Sequence, residues 1–139
     1  YIQPLDDVLG RGAFGTVYKG ITADGTFVAL KLIHDYIPIA DFNKEVSVLC
    51  QLRHPNIVDF YGLHHSGPNV YIVMELGTEG SLHSVLIKAG TLNVGSMKRY
   101  SKEILQGLDY LHDKGYMHRD LKPHNILVTS EGRCKLADF

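Results

Sequence analysis

The chain has 139 residues, 45% of them hydrophobic and 21% charged, which supports a folded globular core and excludes a disordered polar tract. The formal net charge is −1 with scattered histidines, so no basic footprint argues for nucleic acid and no polybasic run for a lipid surface. Apolar runs such as Val70 to Met74 are far too short to cross a bilayer and nothing at the start resembles a signal peptide, while Cys50 and Cys134, far apart and without metal-ligand spacing, favour reduced thiols in a cytoplasmic setting.

In chain order, the first feature is Leu9 to Gly20, "LGRGAFGTVYKG", in which Gly10, Gly12 and Gly15 form a G-x-G-x-x-G pattern. Two unrelated phosphate-binding devices share it. In dinucleotide-binding folds the glycines close a strand and open a helix; in the other device they form a flap over nucleotide phosphates between antiparallel strands. A glycine-rich turn with no ligand is the plainest reading. After Gly15 come Thr16 to Ile21, then Ala23-Asp24-Gly25-Thr26, then Phe27 to Ile33. β-branched and aromatic residues fill both runs, and Asp-Gly between them signals a hairpin. No helix follows the glycines, so the dinucleotide arrangement, and an NAD-dependent oxidoreductase with it, lacks its helix N-terminus.

Period-two alternation puts Ala29 and Lys31 on one strand face, where Val17 of the partner strand can join them. A small residue, a branched apolar one and a cation together suit a flat base that ends in phosphates. Taken alone, Lys31 is a solvated strand lysine. The next element is a helix expected from Phe42 to about Arg53, capped by Asp41 and stopped before Pro55. Helical spacing places Glu45 between Leu49 and Leu52, on the inward side. A carboxylate there is costly unless paired, and Lys31 is its expected partner.

Strand patterns return from Asn56 to Glu75, with Ile57-Val58, a Gly67-Pro68-Asn69 turn and Val70 to Met74. Gly77 to Gly80 marks a flexible crossing, beside which a nucleotide cleft is expected. Ser81 then caps a helix from Leu82 to Lys88. A longer helix from about Val94 to Lys114, ended by Gly115, sets Met97, Ile104, Leu105, Leu108 and Leu111 on one stripe, expected to be core. The fold class is therefore α+β, with an antiparallel sheet and one main helix over residues 1–76 and a mostly helical part over 77–139.

Tyr116 to Phe139, "YMHRDLKPHNILVTSEGRCKLADF", closes the chain. His118-Arg119-Asp120-Leu121-Lys122-Pro123-His124-Asn125 resembles the catalytic loop of eukaryotic-type protein kinases, and Asp138-Phe139 the first two letters of their D-F-G. The glycine loop with Val17, the Val28-Ala29-Leu30-Lys31 strand and Glu45 stand in the same order as in that family. The resemblance implies a small sheet lobe joined to the first part of a helical lobe.

It also implies roles. Gly10, Gly12 and Gly15 would let backbone N–H groups approach the phosphates of ATP, and Lys31, held by Glu45, would pair with the α- and β-phosphates. Asn125 and Asp138 would hold Mg²⁺, which prefers oxygen ligands. Asp120 would accept the proton of the substrate hydroxyl, and Lys122 would neutralise charge on the transferring phosphoryl group. Val17, Ala29 and Leu127 would sandwich adenine, the Glu75 carbonyl and Gly77 N–H would bond its edge, and Met74 would limit depth behind it. Leu49, Phe60, His118 and Phe139 would form a packed column.

Lys122-Pro123 implies Ser/Thr acceptors, and "GSLHSVLIKAG" with "ILQGLDYLH" resembles the upper tiers of the MAP kinase cascade. Arg119 implies an upstream activating kinase, through a phosphorylated segment. The expected function is Mg·ATP-dependent phosphorylation of protein Ser/Thr hydroxyls; the alternative is a pseudokinase-like nucleotide-binding or scaffolding module. Because the resemblance stops within D-F-G, residues 1–139 are expected to be a truncated catalytic domain that does not phosphorylate peptides by itself.

Overall fold

The alternating apolar runs of the first half become strands. The computed structural model describes residues 2–12, 15–33, 39–77 and 79–137, without the side chains at 6, 7, 11, 12, 15, 39–42 and 45. Strands β1 (Ile2–Gly12), β2 (Gly15–Thr22), β3 (Phe27–Ile33), β4 (Phe60–Ser66) and β5 (Asn69–Glu75) form one antiparallel sheet in the order β1-β2-β3-β5-β4. The glycine loop thus joins two antiparallel strands, with Gly12 paired to Gly15. At the β2–β3 turn Gly25 takes φ +86, and Asp24 Oδ1 accepts from the Thr26 N–H at 3.1 Å and from the Thr22 hydroxyl. These bonds, that of Thr22 foremost, hold the Asp24 carboxyl below the usual carboxylate range.

One face of the sheet buries Val28, Leu30, Tyr71 and Val73, with Ile2, Tyr18 and Leu32 packed against them. Each such side chain contributes about 1.5–3 kcal/mol when fully buried, more than the ~1 kcal/mol that separates strand propensities. Burial of this face therefore decides which side of β3 points away from the core.

Helix α1 (Ile39–Leu49) packs against β4. Its bounds correct the expectation of Phe42 to Arg53. Asp41 lies inside the helix and is not its cap, and Leu52 and Arg53 lie beyond its end. Tight turns replace the helix there: Gln51 N–H donates to Val48 O at 3.0 Å and Leu52 N–H to Leu49 O at 3.1 Å. They carry Leu52 into the core, where it is buried. Pro55 is therefore not what stops the helix.

The second half holds α2 (Leu82–Ala89), α3 (Val94–Asp113), a 3-10 turn at Pro123–Asn125 and a hairpin of β6 (Ile126–Val128) with β7 (Cys134–Leu136). Ser81 caps α2 as expected, its hydroxyl accepting from the Ser84 N–H at 3.2 Å. The chain divides into two compact units, Tyr1–Arg53 with Asp59–Leu76, and His54–Val58 with Gly77–Phe139. Residues 54–58 join the second unit because they pair with β7: Leu136 N–H donates to Asn56 O at 2.8 Å and Val58 N–H to Leu136 O at 3.0 Å. Ile57 makes an isolated parallel bridge to Leu136, which corrects the strand expected at Ile57-Val58.

The apolar stripe expected on α3 is corrected in part: Leu111 is fully buried as expected and Ile104 and Leu108 are half-buried, but Met97 and Leu105 are not core. The helix buries Glu103, Gly107 and Leu111, four residues apart, whereas Met97 and Leu105 are 53% and 64% exposed. At about 100° per residue the buried line lies to one side of the expected stripe. Gly107 explains the choice. A Cβ there would stand 2.9 Å from the Asn56 carbonyl oxygen and 3.0 Å from Leu136 Cδ1, so the missing side chain lets α3 lie directly on β7. Gly107→Ala is expected to cost about 1–3 kcal/mol, the range for overpacking, despite the better helix propensity of alanine. A thermal melt showing equal or higher stability would refute this contact.

Both cysteines are free thiols. Burial pushes Cys134 up to about 12, with Glu103 adding to it, and burial also raises Cys50, against which Arg53 acts. Since the thiolate is the nucleophile, iodoacetamide at about pH 8 is expected to label Cys50 well ahead of Cys134 in the folded protein, a contrast lost in denaturant. Peptide mapping reads this directly. Among the described residues no helix is long and apolar enough to cross a membrane.

Candidate active site

In the first unit, strand register gathers the predicted residues. Gly10 pairs with Val17, Val17 with Lys31, and Lys31 with Ile72, one row across four strands. Directly paired residues project to the same face. Ala29 and its partner Met74 form the next row on that face. Gly10, Val17, Ala29, Lys31 and Met74 therefore share the face opposite the Leu30 core. Ala29 and Met74 are buried, while Val17 and Lys31 are half-buried. At Gly10 a Cβ would meet nothing within 4 Å among the described residues, so packing against them does not demand a glycine there.

Glu75 closes β5 with its side chain committed: Oε2 accepts from the Asp59 N–H at 3.1 Å, while its own N–H donates to Asp59 O at 2.9 Å. Glu45 sits on α1, but its side chain lies outside the described residues, as do Asp138 and Phe139. The Lys31–Glu45 pair and the Asp138 ligand therefore fall outside the description.

In the second unit the catalytic-type loop converges on one carboxylate. Asn125, buried within the 3-10 turn, donates from Nδ2 to the Asp120 carbonyl at 2.8 Å and to Asp120 Oδ2 at 3.1 Å. Lys122 Nζ lies 3.5 Å from the same Oδ2. Oδ1 of Asp120 has no partner among the described residues. The side chains of Lys122 and Asp120 are about half exposed, so their pairing adds little stability, ~0–1 kcal/mol, and serves to aim the groups. Arg119 adopts φ +69, a left-handed conformation that costs a non-glycine residue about 1–3 kcal/mol.

The strain at Arg119 is held from both sides. His118, buried, bonds the Ala137 carbonyl through Nε2 at 2.6 Å and accepts the Asp120 N–H at Nδ1 at 3.3 Å. Both bonds together require the tautomer protonated at Nε2. His118 thus couples Asp120 to the end of the hairpin. Of the column expected with it, Phe60 is buried and Leu49 half-buried in the first unit.

The remaining predicted residues meet along the crossing segment. Glu79 N–H donates to Val128 O at 3.1 Å, Val128 N–H to Gly80 O at 2.9 Å, and Ser81 bridges to Leu127. This stitching lays Gly77 against Leu127: a Cβ at 77 would stand 2.9 Å from the Leu127 Cβ.

A family model described as the protein kinase domain matches residues 4–139. The chain belongs to the protein kinase family. Similar curated proteins include mitogen-activated protein kinase kinase kinase 1 of Arabidopsis thaliana, 45% identical over 95% of this chain and 23% of that protein. Another is the serine/threonine-protein kinase dst1 of Dictyostelium discoideum, 38% identical over 99% of this chain and 19% of that protein. The chain therefore spans about a quarter or less of the length of these relatives. A crystal structure of Rad53 1-466 in complex with AMP-PNP matches with a TM-score of 0.89 and 34% identity, over 99% of this chain and 38% of that one. The protein kinase fold expected from the sequence, with its antiparallel sheet and later helices, is what the kinase domain has here.

The donor chemistry of the kinase loop fits Mg²⁺. With its Nδ2 spent on Asp120, Asn125 keeps an amide oxygen that has no partner among the described residues, and amide and carboxylate oxygens are what Mg²⁺ takes. Sequence reasoning missed Glu103 and Arg99, which reach the hairpin from α3. Glu103 Oε2 accepts the Cys134 N–H at 2.7 Å. The available signal was a carboxylate at helical spacing from Gly107 and Leu111.

Proposed function

We propose that the protein is an ATP-dependent serine/threonine protein kinase that transfers the γ-phosphoryl group to protein hydroxyls. The observation that carries this reading is the arrangement around Asp120: Oδ2 held by Asn125 at 3.1 Å and Lys122 at 3.5 Å, with Oδ1 left to receive a proton. A positioned base of this kind needs one oriented lone pair toward the acceptor hydroxyl. Asp120 would take that hydroxyl proton as the oxygen bonds to the γ-phosphorus and the bond from that phosphorus to the β–γ bridging oxygen breaks, with ADP as the leaving group. Lys122 would then offset the negative charge that develops on the transferring group, in the manner of other cationic clamps.

Asn125 and Asp138 would hold Mg²⁺, which neutralises phosphate charge when bound. On the sheet face, Val17, Ala29 and Met74 would contact adenine, Lys31, oriented by Glu45, would pair with phosphates, and Gly10, Gly12 and Gly15 would present backbone N–H groups. Leu127 would take the other face of the base, and the Glu75 carbonyl with the Gly77 N–H would bond its edge. The AMP-PNP complex of Rad53 and the names of the relatives support nucleotide binding and Ser/Thr acceptors. Arg119 supports activation by an upstream kinase, and the free thiols Cys50 and Cys134 fit a cytoplasmic location.

The test is transfer of γ-labelled phosphate from ATP to Ser/Thr and Tyr peptide libraries by the full-length protein. Label on Ser or Thr that requires Asp120 is the expected result. Nucleotide binding without any transfer would overturn the enzymatic reading in favour of a scaffold.

A further inference from the structure

Glu103 is a buried acid that the proposed chemistry does not use. At 7% exposure a carboxylate is strongly disfavoured unless its oxygens are bonded. Both are engaged. Oε2 accepts the Cys134 N–H at 2.7 Å, and Oε1 lies 3.5 Å from Arg99 Nε, four residues earlier on α3. Arg99 extends further and donates from Nη2 to the Glu131 carbonyl at 3.3 Å. One contact lands on β7 and the other on the turn before it, so α3 grips the β6–β7 hairpin at two points. That interface also packs Gly107 against Leu136. Packing alone needs no charge, and a hydrocarbon of similar volume would serve it as well.

What the grip holds is informative. Asn125 immediately precedes β6, and Ala137, whose N–H donates to Asn125 O at 2.9 Å, immediately precedes Asp138. The hairpin therefore leads at its β6 end directly into Asn125, a proposed metal ligand, which the Ala137 N–H also holds from the other strand's side. We propose that Glu103, assisted by Arg99, is a positioning residue that fixes the β6–β7 hairpin, and with it Asn125, and thereby sets the protein's affinity for a divalent cation with nucleotide. The inference rests on the kinase reading above. Groups that hold metal ligands in place typically govern affinity by roughly 10–100-fold when removed.

The experiment uses the full-length protein, with Mn²⁺ as probe and AMP-PNP present. Bound Mn²⁺ is read by electron paramagnetic resonance, and amide exchange by mass spectrometry. Glu103→Ala is expected to weaken Mn²⁺ binding by roughly 10-fold, with faster exchange at Cys134 and Ala137 but not at Leu111. Glu103→Gln keeps an acceptor for the Cys134 N–H and is expected to recover binding to within roughly threefold. Should Glu103→Ala not fold, Arg99→Met carries the test: an exposed partner, expected to weaken Mn²⁺ by roughly 2–5-fold without loss of structure. Wild-type-like Mn²⁺ affinity in the folded Ala variant, or in Arg99→Met where that variant carries the test, would overturn the inference alone. A wild-type protein that binds no Mn²⁺ with nucleotide would overturn the kinase reading and this inference with it.

Discussion

Asp120→Ala in the full-length protein is expected to lower kcat for peptide phosphorylation by roughly 10²–10⁴-fold, which is about 3–5.5 kcal/mol of barrier. The variant removes both carboxylate oxygens. Oδ1 is the one without a partner among the described residues, and it is the one assigned to the acceptor hydroxyl. The rest of the loop keeps its support: Asn125 Nδ2 still has the backbone carbonyl of residue 120 at 2.8 Å, and His118 still receives the backbone N–H of that residue at 3.3 Å. Since Asp120 is exposed, lost stability is expected to stay below about 1 kcal/mol. Nucleotide affinity, read by fluorescence titration, is expected to change less than about twofold, because no role at the base or phosphates is assigned to Asp120. Asp120→Asn separates shape from basicity: it preserves the outline and is expected to be nearly as slow as alanine. A kcat within about threefold of wild type in either variant would remove Asp120 from the role of base.

Local signals made the sheet readable in advance, whereas the candidate chemistry of the later loop was legible through its resemblance to protein kinases. Asp24-Gly25 sits between two strand-like runs, and the Val17–Lys31 pairing follows from a hairpin of that length and from period two. The loop residues Asp120, Lys122 and Asn125 are close in sequence, so a short turn suffices to bring Asn125 and Lys122 onto the Asp120 carboxylate. What escaped was set by tertiary contacts. Periodicity continued the first helix through Leu52, but burial of Leu52 through two tight turns won over helical continuation. Ile57-Val58 looked like a strand of the sheet, yet its backbone partner is Leu136, far along the chain. On α3 the apolar pattern rightly included Leu111 but also pointed to Met97 and Leu105, whereas the buried line continues through a glycine and an acid. Glu103 reads as a solvated helix residue until Cys134, 31 residues away, supplies its N–H.

Lys31→Met distinguishes a ligand-facing lysine from a solvated strand lysine. Methionine matches the length of the aliphatic stem and suits a half-buried strand position flanked by Val17 and Ile72, so β3 is expected to retain its pairing. The ammonium is lost, together with the contacts it makes. If Lys31 pairs with phosphates, a point charge placed where negative charge concentrates is worth roughly 10²–10³-fold, about 2.7–4 kcal/mol, and kcat/KM for ATP falls by that factor. Lys31→Arg is the stringent control: it restores the charge but substitutes a planar fork for a compact ammonium, so partial recovery is expected rather than wild-type activity. The row Gly10, Val17, Lys31, Ile72 gives the result its weight. A lysine serving solubility could stand on any exposed strand position, whereas this one stands on the face that also carries Ala29 and Met74, opposite the Leu30 core. Unchanged kcat/KM in the methionine variant would mean that this face does not address phosphates, and the nucleotide assignment of the other residues on it would fall as well.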